Sequence, residues 1–370
     1  MSELISPEIL SEIFKFLYTK EEGKINLFNC VLVNRYWCRT TIPILWLDPF
    51  SFFDNKMSLD GLISTYMACL TNKERRSLEK QGIEVPKKVK SPSFDYISFL
   101  KNLNYDGLIS SLFHLGCNDG VYKKNDSFGI MLPALLEILA NRDLALQSLE
   151  LKNHDRRGDW DREFMHLVDR KIRPLIKPVK KIYLDCNVLD ARFLPLLSGQ
   201  CQRVRHLYIV MHVEKSKKGS IICERDATYY AKLIEKQKSL EILAIEKFTK
   251  YFKNILPSFK TQIQSLRVIE FINSNFKECE SLEVIASCEN LERLIFRGCN
   301  NLSTKILRPL FNANFSKLKE ISFESSERNE EIEIWLQKFN NNYFHTQLLS
   351  NLVMERILSI YGYLSSWFLL

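Results

Sequence analysis

The chain has 370 residues but only 12 glycines and 11 prolines. That scarcity excludes a collagenous chain and a glycine- and proline-rich low-complexity chain. Paired cysteines are missing as well. The ten cysteines stand singly, at 30, 38, 69, 117, 186, 201, 223, 279, 288 and 299, and no Cys-x-x-Cys occurs. A zinc ribbon or a redox dithiol therefore has no ligand spacing to rest on. The six histidines are dispersed, and none forms a metal pair. Glu21-Glu22-Gly23-Lys24 lacks the upstream glycine of a phosphate loop. The stretch Asp155 to Asp161 holds two arginines and lacks the closing glutamate of a calcium loop. No metal or cofactor is expected, and no nucleophile–base–orienter set can be assembled, which argues against an enzyme. The apolar stretch Leu348 to Leu370 is interrupted by Glu355 and Arg356. What remains is shorter than the ~20 residues that cross a bilayer, so it reads as a helix or cap and no membrane is expected. Acidic Glu3 and Glu8, with no apolar core between them, argue against a secretory signal. Free thiols without a signal suit a reducing compartment, cytoplasm or nucleus.

Apolar surface is what the chain has in quantity. Hydrophobic residues make up 46% of it, which allows a large core and excludes compositional disorder. The net charge of +8 is small for this length and implies no nucleic-acid partner. Near the start, Ser6 can cap a helix, Pro7 suits its first turn and Glu8 complements its dipole. Ile9, Leu10, Ile13, Phe14 and Leu17 then fall on one helical stripe. Glu21 to Lys24 break that helix. A second apolar run starts at Leu27, and Arg35 to Thr41 reads as a third helix, which Pro43 is expected to end by disfavouring a helical Ile42. A module this small cannot bury Cys30, Val31, Val33, Tyr36 and Trp37 as well. Its stripe, Leu10, Ile13 and Phe14 included, is expected to be shared with a partner and partly exposed.

Read in order, Ile5-Ser6, Glu8-Ile9-Leu10, Ile13-Phe14, Leu17, Val31, Arg35-Tyr36-Trp37 and Leu45-Trp46 resemble an F-box. That module docks a substrate receptor onto the Skp adaptor of a cullin-type ubiquitin ligase. Ser6 departs from the pattern, standing where the family has proline, with Pro7 one place late. The resemblance implies that Ile5, Pro7, Ile9, Leu10, Ile13, Phe14, Leu17, Val31, Val33 and Trp37 meet the adaptor.

Between Ser51 and Ser93, Leu59 to Leu70 reads as a helix. Lys73, Arg75, Arg76, Lys80, Lys87, Lys88 and Lys90 then form a basic run closed by Ser91-Pro92-Ser93. A localisation or nucleic-acid patch is one reading; a solvated, partly flexible connector is the preferred one.

From Leu100 onward a phrase recurs: an apolar anchor, two residues, then two apolar positions flanking a variable one. It reads Leu100-Lys-Asn-Leu-Asn-Tyr105, Leu146-Gln-Ser-Leu-Glu-Leu151, Val179-Lys-Lys-Ile-Tyr-Leu184 and Val204-Arg-His-Leu-Tyr-Ile209. It returns as Leu240-Glu-Ile-Leu-Ala-Ile245, Leu266-Arg-Val-Ile-Glu-Phe271, Leu291-Glu-Arg-Leu-Ile-Phe296 and Leu318-Lys-Glu-Ile-Ser-Phe323. Leu184-Asp-Cys-Asn187 and Phe296-Arg-Gly-Cys-Asn300 follow two of these copies. The pattern resembles leucine-rich repeats, which stack a short strand and a return segment into a solenoid. Helical returns are expected over Leu132 to Ala140, Arg192 to Leu197, Thr228 to Lys236, Lys250 to Leu256 and Lys305 to Phe311. Polar insertions at Asn118 to Asp126 and Glu214 to Ser220 read as loops.

Alternation along a strand points the apolar pair inward and its neighbours outward. The outward rows run Asn102, Asn104, Asp106; Ser148, Glu150, Lys152; Lys181, Tyr183, Asp185; His206, Tyr208, Val210; Ile242, Ala244, Glu246; Val268, Glu270, Ile272; Arg293, Ile295, Arg297; Glu320, Ser322, Glu324. This register sets Arg293 beside Glu320 and Arg297 beside Glu324. Contact with a target is expected at Lys181, Tyr183, Asp185, His206, Tyr208 and Val210, where aromatics lie beside the second insertion.

The expected architecture is an α/β solenoid: a three-helix F-box (1–50), a helical and basic connector (51–93), a curved leucine-rich-repeat array with parallel strands on its concave face (94–340), and an apolar end (341–370). Its resemblance to F-box/leucine-rich-repeat proteins, of the kind expanded in fungi, implies a non-enzymatic receptor. That receptor would bind a Skp-type adaptor, through it a cullin–RING ligase, and a target protein. The alternative is an interaction scaffold with no ligase role.

Overall fold

Each of the eight phrases forms a strand in the structure, a computed structural model: β1 (Asn102–Asn104), β2 (Ser148–Leu151), β3 (Lys181–Asp185), β4 (His206–Val210), β5 (Ile242–Glu246), β6 (Val268–Ile272), β7 (Arg293–Arg297) and β8 (Glu320–Glu324). The structure describes residues 5–18, 23–51, 56–83, 85, 92–118, 126–152, 161–185, 193–211, 224–324, 326 and 330–337. The insertion at Glu214 to Ser220, most of the one at Asn118 to Asp126, the Asp155 stretch up to Trp160, Lys87, Lys88, Lys90, Cys186, Asn187 and the end from Leu348 lie outside the described residues. The chain divides into two units, residues 1–240 and 241–370. Both are α/β, with parallel strands paired in sequence order: β1 through β4 in the first and β5 through β8 in the second.

The anchors explain the register. Leu100, Leu146, Val179, Val204, Leu240, Leu266, Leu291 and Leu318 are all buried, and so is the apolar pair of every phrase except the last, where Phe323 is buried and Ile321 half-buried. Just before six of the strands, one carbonyl accepts two successive amides from the next strand's start. Lys101 O takes Gln147 N and Ser148 N, Gln147 O takes Lys180 N and Lys181 N, and Lys180 O takes Arg205 N and His206 N. In the second unit Glu241, Arg267 and Glu292 repeat the arrangement.

The helices of the first unit are α1 (Pro7–Tyr18), α2 (Gly23–Val33), α3 (Arg35–Leu45), α4 (Lys56–Ala68), α5 (Asn72–Lys80), α6 (Tyr105–Asn118), α7 (Asp126–Asn141), α8 (Asp161–His166), α9 (Arg173–Ile176), α10 (Phe193–Gln200) and α11 (Glu224–Glu235). Three of them cover return segments expected from the sequence. One expectation fails at Pro43, which lies inside α3 rather than ending it. The helix carries Ile44 and Leu45 into the core beyond it, and burying those side chains outweighs one lost amide bond. Asn34 caps the same helix, its Oδ1 accepting from Trp37 N at 2.8 Å.

The connector is corrected in part: a helix orders the start of its basic run, while Lys73, Arg76 and Lys80 are exposed as expected. Over its described residues it is packed structure, with Ile63, Tyr66, Met67, Leu70, Leu78 and Ile83 buried. Arg75 folds back to donate to Met67 O at 2.6 Å. Arg142, just beyond α7, grips Glu74 of α5 with Nε at 2.8 Å and Nη2 at 2.6 Å, and its Nη2 also donates to Cys69 O at 2.8 Å. Glu74 in turn closes a capping box with Thr71. Burial alone raises the Glu74 carboxyl, but its bonds from Arg142 and Thr71 outweigh that and hold it below its ordinary range. The three-helix module joins β1 through the same carbonyl device as the strands: Leu47 O accepts from Lys101 N at 3.0 Å and Asn102 N at 2.8 Å.

The second unit adds α12 (Phe252–Ile255), α13 (Glu283–Ala286) and α14 (Thr304–Phe311), with a further helix over 330–337. The return expected at Lys250 to Leu256 is helical only for its second half and continues as a 3-10 turn from Leu256 to Gln262, which contains Pro257. Its core holds a phenylalanine ladder, Phe271 stacked on Phe296 at 5.7 Å and Phe296 on Phe323 at 4.8 Å. Directly after the strands, Lys247, Asn273 and Gly298 occupy one register position and all take left-handed backbone, with φ of 58°, 48° and 62°. Each donates its amide to the last residue of the next strand. Cys299, which follows, is buried with Sγ against Phe271 O at 3.3 Å.

Candidate functional site

Two surfaces stand out, and both follow from local sequence. The first is the outer side of the N-terminal module. Its core is Leu10, Phe14, Leu27, Ile44 and Leu45, against which Leu17, Val31, Tyr36 and Trp37 are partly buried. Phe14 meets Trp37 edge-on at 5.2 Å, and Tyr36 Oη donates to Ile5 O at 2.6 Å, pinning the start of the chain. Ser6 sits at the helix start with Oγ 3.4 Å from Ile9 N.

The stripe expected to be shared therefore divides. Leu10 and Phe14 are each 1% exposed and belong to the module's own core, which corrects the expectation that they are partly open. Ile5, Ile9, Ile13 and Val33 are exposed, as is Pro7. Heptad geometry separates the two sets: positions 10, 14 and 17 face α3, while 9, 13 and 16 turn away. Sequence reasoning missed Phe16, Ile25, Phe28 and Leu32, which are exposed too. The signal for them was present, because α2 is apolar on nearly every side, and such a helix is buried or docked. Of the thirteen exposed large hydrophobic side chains among the described residues, eight lie between Ile5 and Val33. A soluble surface scatters such residues, and clustering of this kind marks an interaction face.

The second surface is the outward side of β3 and β4. Register pairs Tyr183 with Tyr208, and their rings stack at 4.6 Å with 11° between planes. The Lys152 ammonium lies 4.1 Å from the Tyr183 ring centroid while forming an ion pair with Glu150. Lys181 is exposed, and Asp185 and His206 are half-buried on the same side. Val210 does not join them. It is 3% exposed, as are its neighbours Ile209 and Met211 nearly so, so both sides of this strand end are covered. The first row also departs: Asn104 and Asp106 are buried, because α6 begins at Tyr105 and Asn104 Oδ1 caps it by accepting from Gly107 N at 2.9 Å.

On the strands of the second unit the charges satisfy one another. Arg293 Nε lies 2.6 Å from Glu320 and Arg297 Nε 2.8 Å from Glu324, as the register required. Arg297 also reaches Glu270 at 2.8 Å. Its side chain thereby crosses the column that holds Ile295, which is buried, as is Ala244, although both occupy outward positions. The Arg297 bond holds the Glu324 carboxyl below its ordinary range.

Burial pushes the thiols of Cys201, Cys279 and Cys288 up to about 12 and that of Cys299 up to about 11, so none of the four is a thiolate nucleophile at neutral pH. Among the described residues no group of three His, Cys, Asp or Glu side chains could hold a metal ion, and no helix is long and apolar enough to cross a membrane. No protein-family model matches the chain, and no curated protein matches it in sequence.

Proposed function

We propose that this chain is the substrate-recognition subunit of a Skp–cullin–F-box ubiquitin ligase. Its three-helix module would dock on the Skp-type adaptor, and its strand-and-return repeats, read as a leucine-rich-repeat solenoid, would bind a target protein. The observation that supports this most directly is the outward apolar side of α1 and α2, carrying Ile9, Ile13, Ile25, Leu32 and Val33 on a module whose own core is already filled. The role is binding rather than covalent chemistry: a receptor holds its target near the charged ubiquitin carrier and raises its effective concentration. Lys181, Tyr183, Asp185, His206 and Tyr208 are the target-contacting residues of this reading, since a stacked aromatic pair with mixed charge around it suits a protein partner.

The test is a titration of purified chain against a Skp-type adaptor, with thermal unfolding alongside. Ile13→Ser, at an exposed position, weakens binding about tenfold or more, which is ~1.4 kcal/mol, and leaves unfolding unchanged. Leu10→Ala, in the core, lowers the unfolding temperature through the ~2–5 kcal/mol cost of a buried leucine cavity. Absence of wild-type binding at micromolar concentration would end the ligase reading and leave an interaction scaffold.

A further inference from the structure

The second unit carries a cleft built from return segments rather than strands. Its two walls are successive returns of unequal length. The β5–β6 return is long: the four residues of α12 run into the seven-residue 3-10 turn Leu256–Gln262. The β6–β7 return is short, a three-residue 3-10 turn (Phe276–Glu278) and the four residues of α13. Side by side they leave a gap of about 410 Å3, within the ~300–1,000 Å3 range of binding clefts. The lining is ordered by type. Buried Phe252 and Leu256 and half-buried Ile263 come from the long return, and half-buried Val284 from the short one. The exposed charges divide by wall: Lys253 and Lys260 stand on the long return, and Glu278, Glu280 and Glu283 on the short one. Among the described residues no ion pair joins Lys260 to any of these glutamates. An apolar centre under a polar rim is how a protein-recognition site is built. Here the rim is dipolar. A phosphate-rich partner would meet three carboxylates, and a purely basic one would meet the lysines.

We propose that this cleft binds an extended peptide segment of a partner protein, one in which an apolar residue stands between an acidic and a basic one. The apolar side chain fills the gap against Leu256 and Val284. The acidic side chain pairs with Lys260, and the basic one with Glu280 or Glu283. Each wall thus meets a charge of the opposite sign, which fixes the direction in which the segment lies. The site uses neither the adaptor-docking face nor the Tyr183–Tyr208 surface, and it does not depend on the ligase reading.

The experiment pans a phage-displayed library of random heptapeptides on the full chain and, in parallel, on Ser287→Trp. Ser287 is exposed in the cleft lining, so an indole there fills the gap without entering the core. Peptides with an apolar residue between an acidic and a basic one are expected on the wild type and not on the variant. A synthetic peptide of the enriched consensus then binds Lys260→Glu about tenfold or more weakly, and recovers its affinity for that variant when its acidic residue is replaced by lysine. Thermal unfolding checks that the variants keep their fold. Should Ser287→Trp unfold, Lys260→Glu and Glu280→Lys, both at exposed positions, carry the comparison. No enriched sequence, enrichment of peptides of one charge sign, equal enrichment on Ser287→Trp or failure of the charge-swap rescue each overturns the proposal. A wild-type dimer in sedimentation that Ser287→Trp abolishes overturns it in favour of a second copy of the chain.

Discussion

Replacing Arg142 by leucine removes a clamp whose value can be worked from its surroundings. Arg142 is 14% and Glu74 19% exposed in their side chains, so their two hydrogen bonds lie largely out of water. Breaking a fully buried pair costs ~3–5 kcal/mol, because one charge is left behind without its partner. Glu74 keeps its bonds from Thr71 N at 2.7 Å and Thr71 Oγ1 at 2.9 Å, which moves the cost toward the lower end. The bond to Asp95, 56% exposed, adds little. Losing the charged donor to Cys69 O restores part of the difference, for a total of about 3 kcal/mol. Urea unfolding followed by tryptophan fluorescence reads this as a midpoint lowered by about 1 M or more, at unchanged slope. Acid provides an internal control. The Glu74 carboxyl is held below its ordinary value of 4.5, so its contribution is present above that pH and is lost as pH falls through the folded-state value. The gap between wild type and variant therefore closes on acidification. A loss under about 1 kcal/mol at neutral pH, or a gap that widens in acid, would refute a desolvated clamp.

Two further outcomes follow from particular positions. Gly298→Ala destabilises the second unit by about 1–2 kcal/mol, since its φ is +62° and an added Cβ would lie 2.4 Å from Asn273 Oδ1; an unchanged urea midpoint would show that Asn273 moves aside freely. Cys201, Cys288 and Cys299, fully buried with raised thiol values, stay unmodified by iodoacetamide at pH 8 in the native chain and react on unfolding. Rapid native labelling of Cys299 would contradict its place beneath β6.

What the sequence determined by itself is everything that depends on short-range alternation. The eight strands lie where the phrase puts them, because an anchor followed by an alternating apolar pair can bury its side chains in only one register. The Arg293–Glu320 and Arg297–Glu324 pairs and the Tyr183–Tyr208 stack follow from the same count along neighbouring strands. Tertiary packing decided the rest. Leu10 and Ile9 are adjacent and equally apolar, and only the position of α3 makes one core and the other surface. Pro43 stays in its helix because burying Ile44 and Leu45 outweighs a local preference. The order of the connector was not legible in its basic run, because Glu74 finds its partner 68 residues away, at Arg142. Val210, Ile295 and Asn104 sit at outward positions by alternation and are buried by neighbours that the strand's own sequence does not contain. Local periodicity specifies which residues share a face. What covers that face is set by long-range contacts, whose closure cost the fold meets only as a whole.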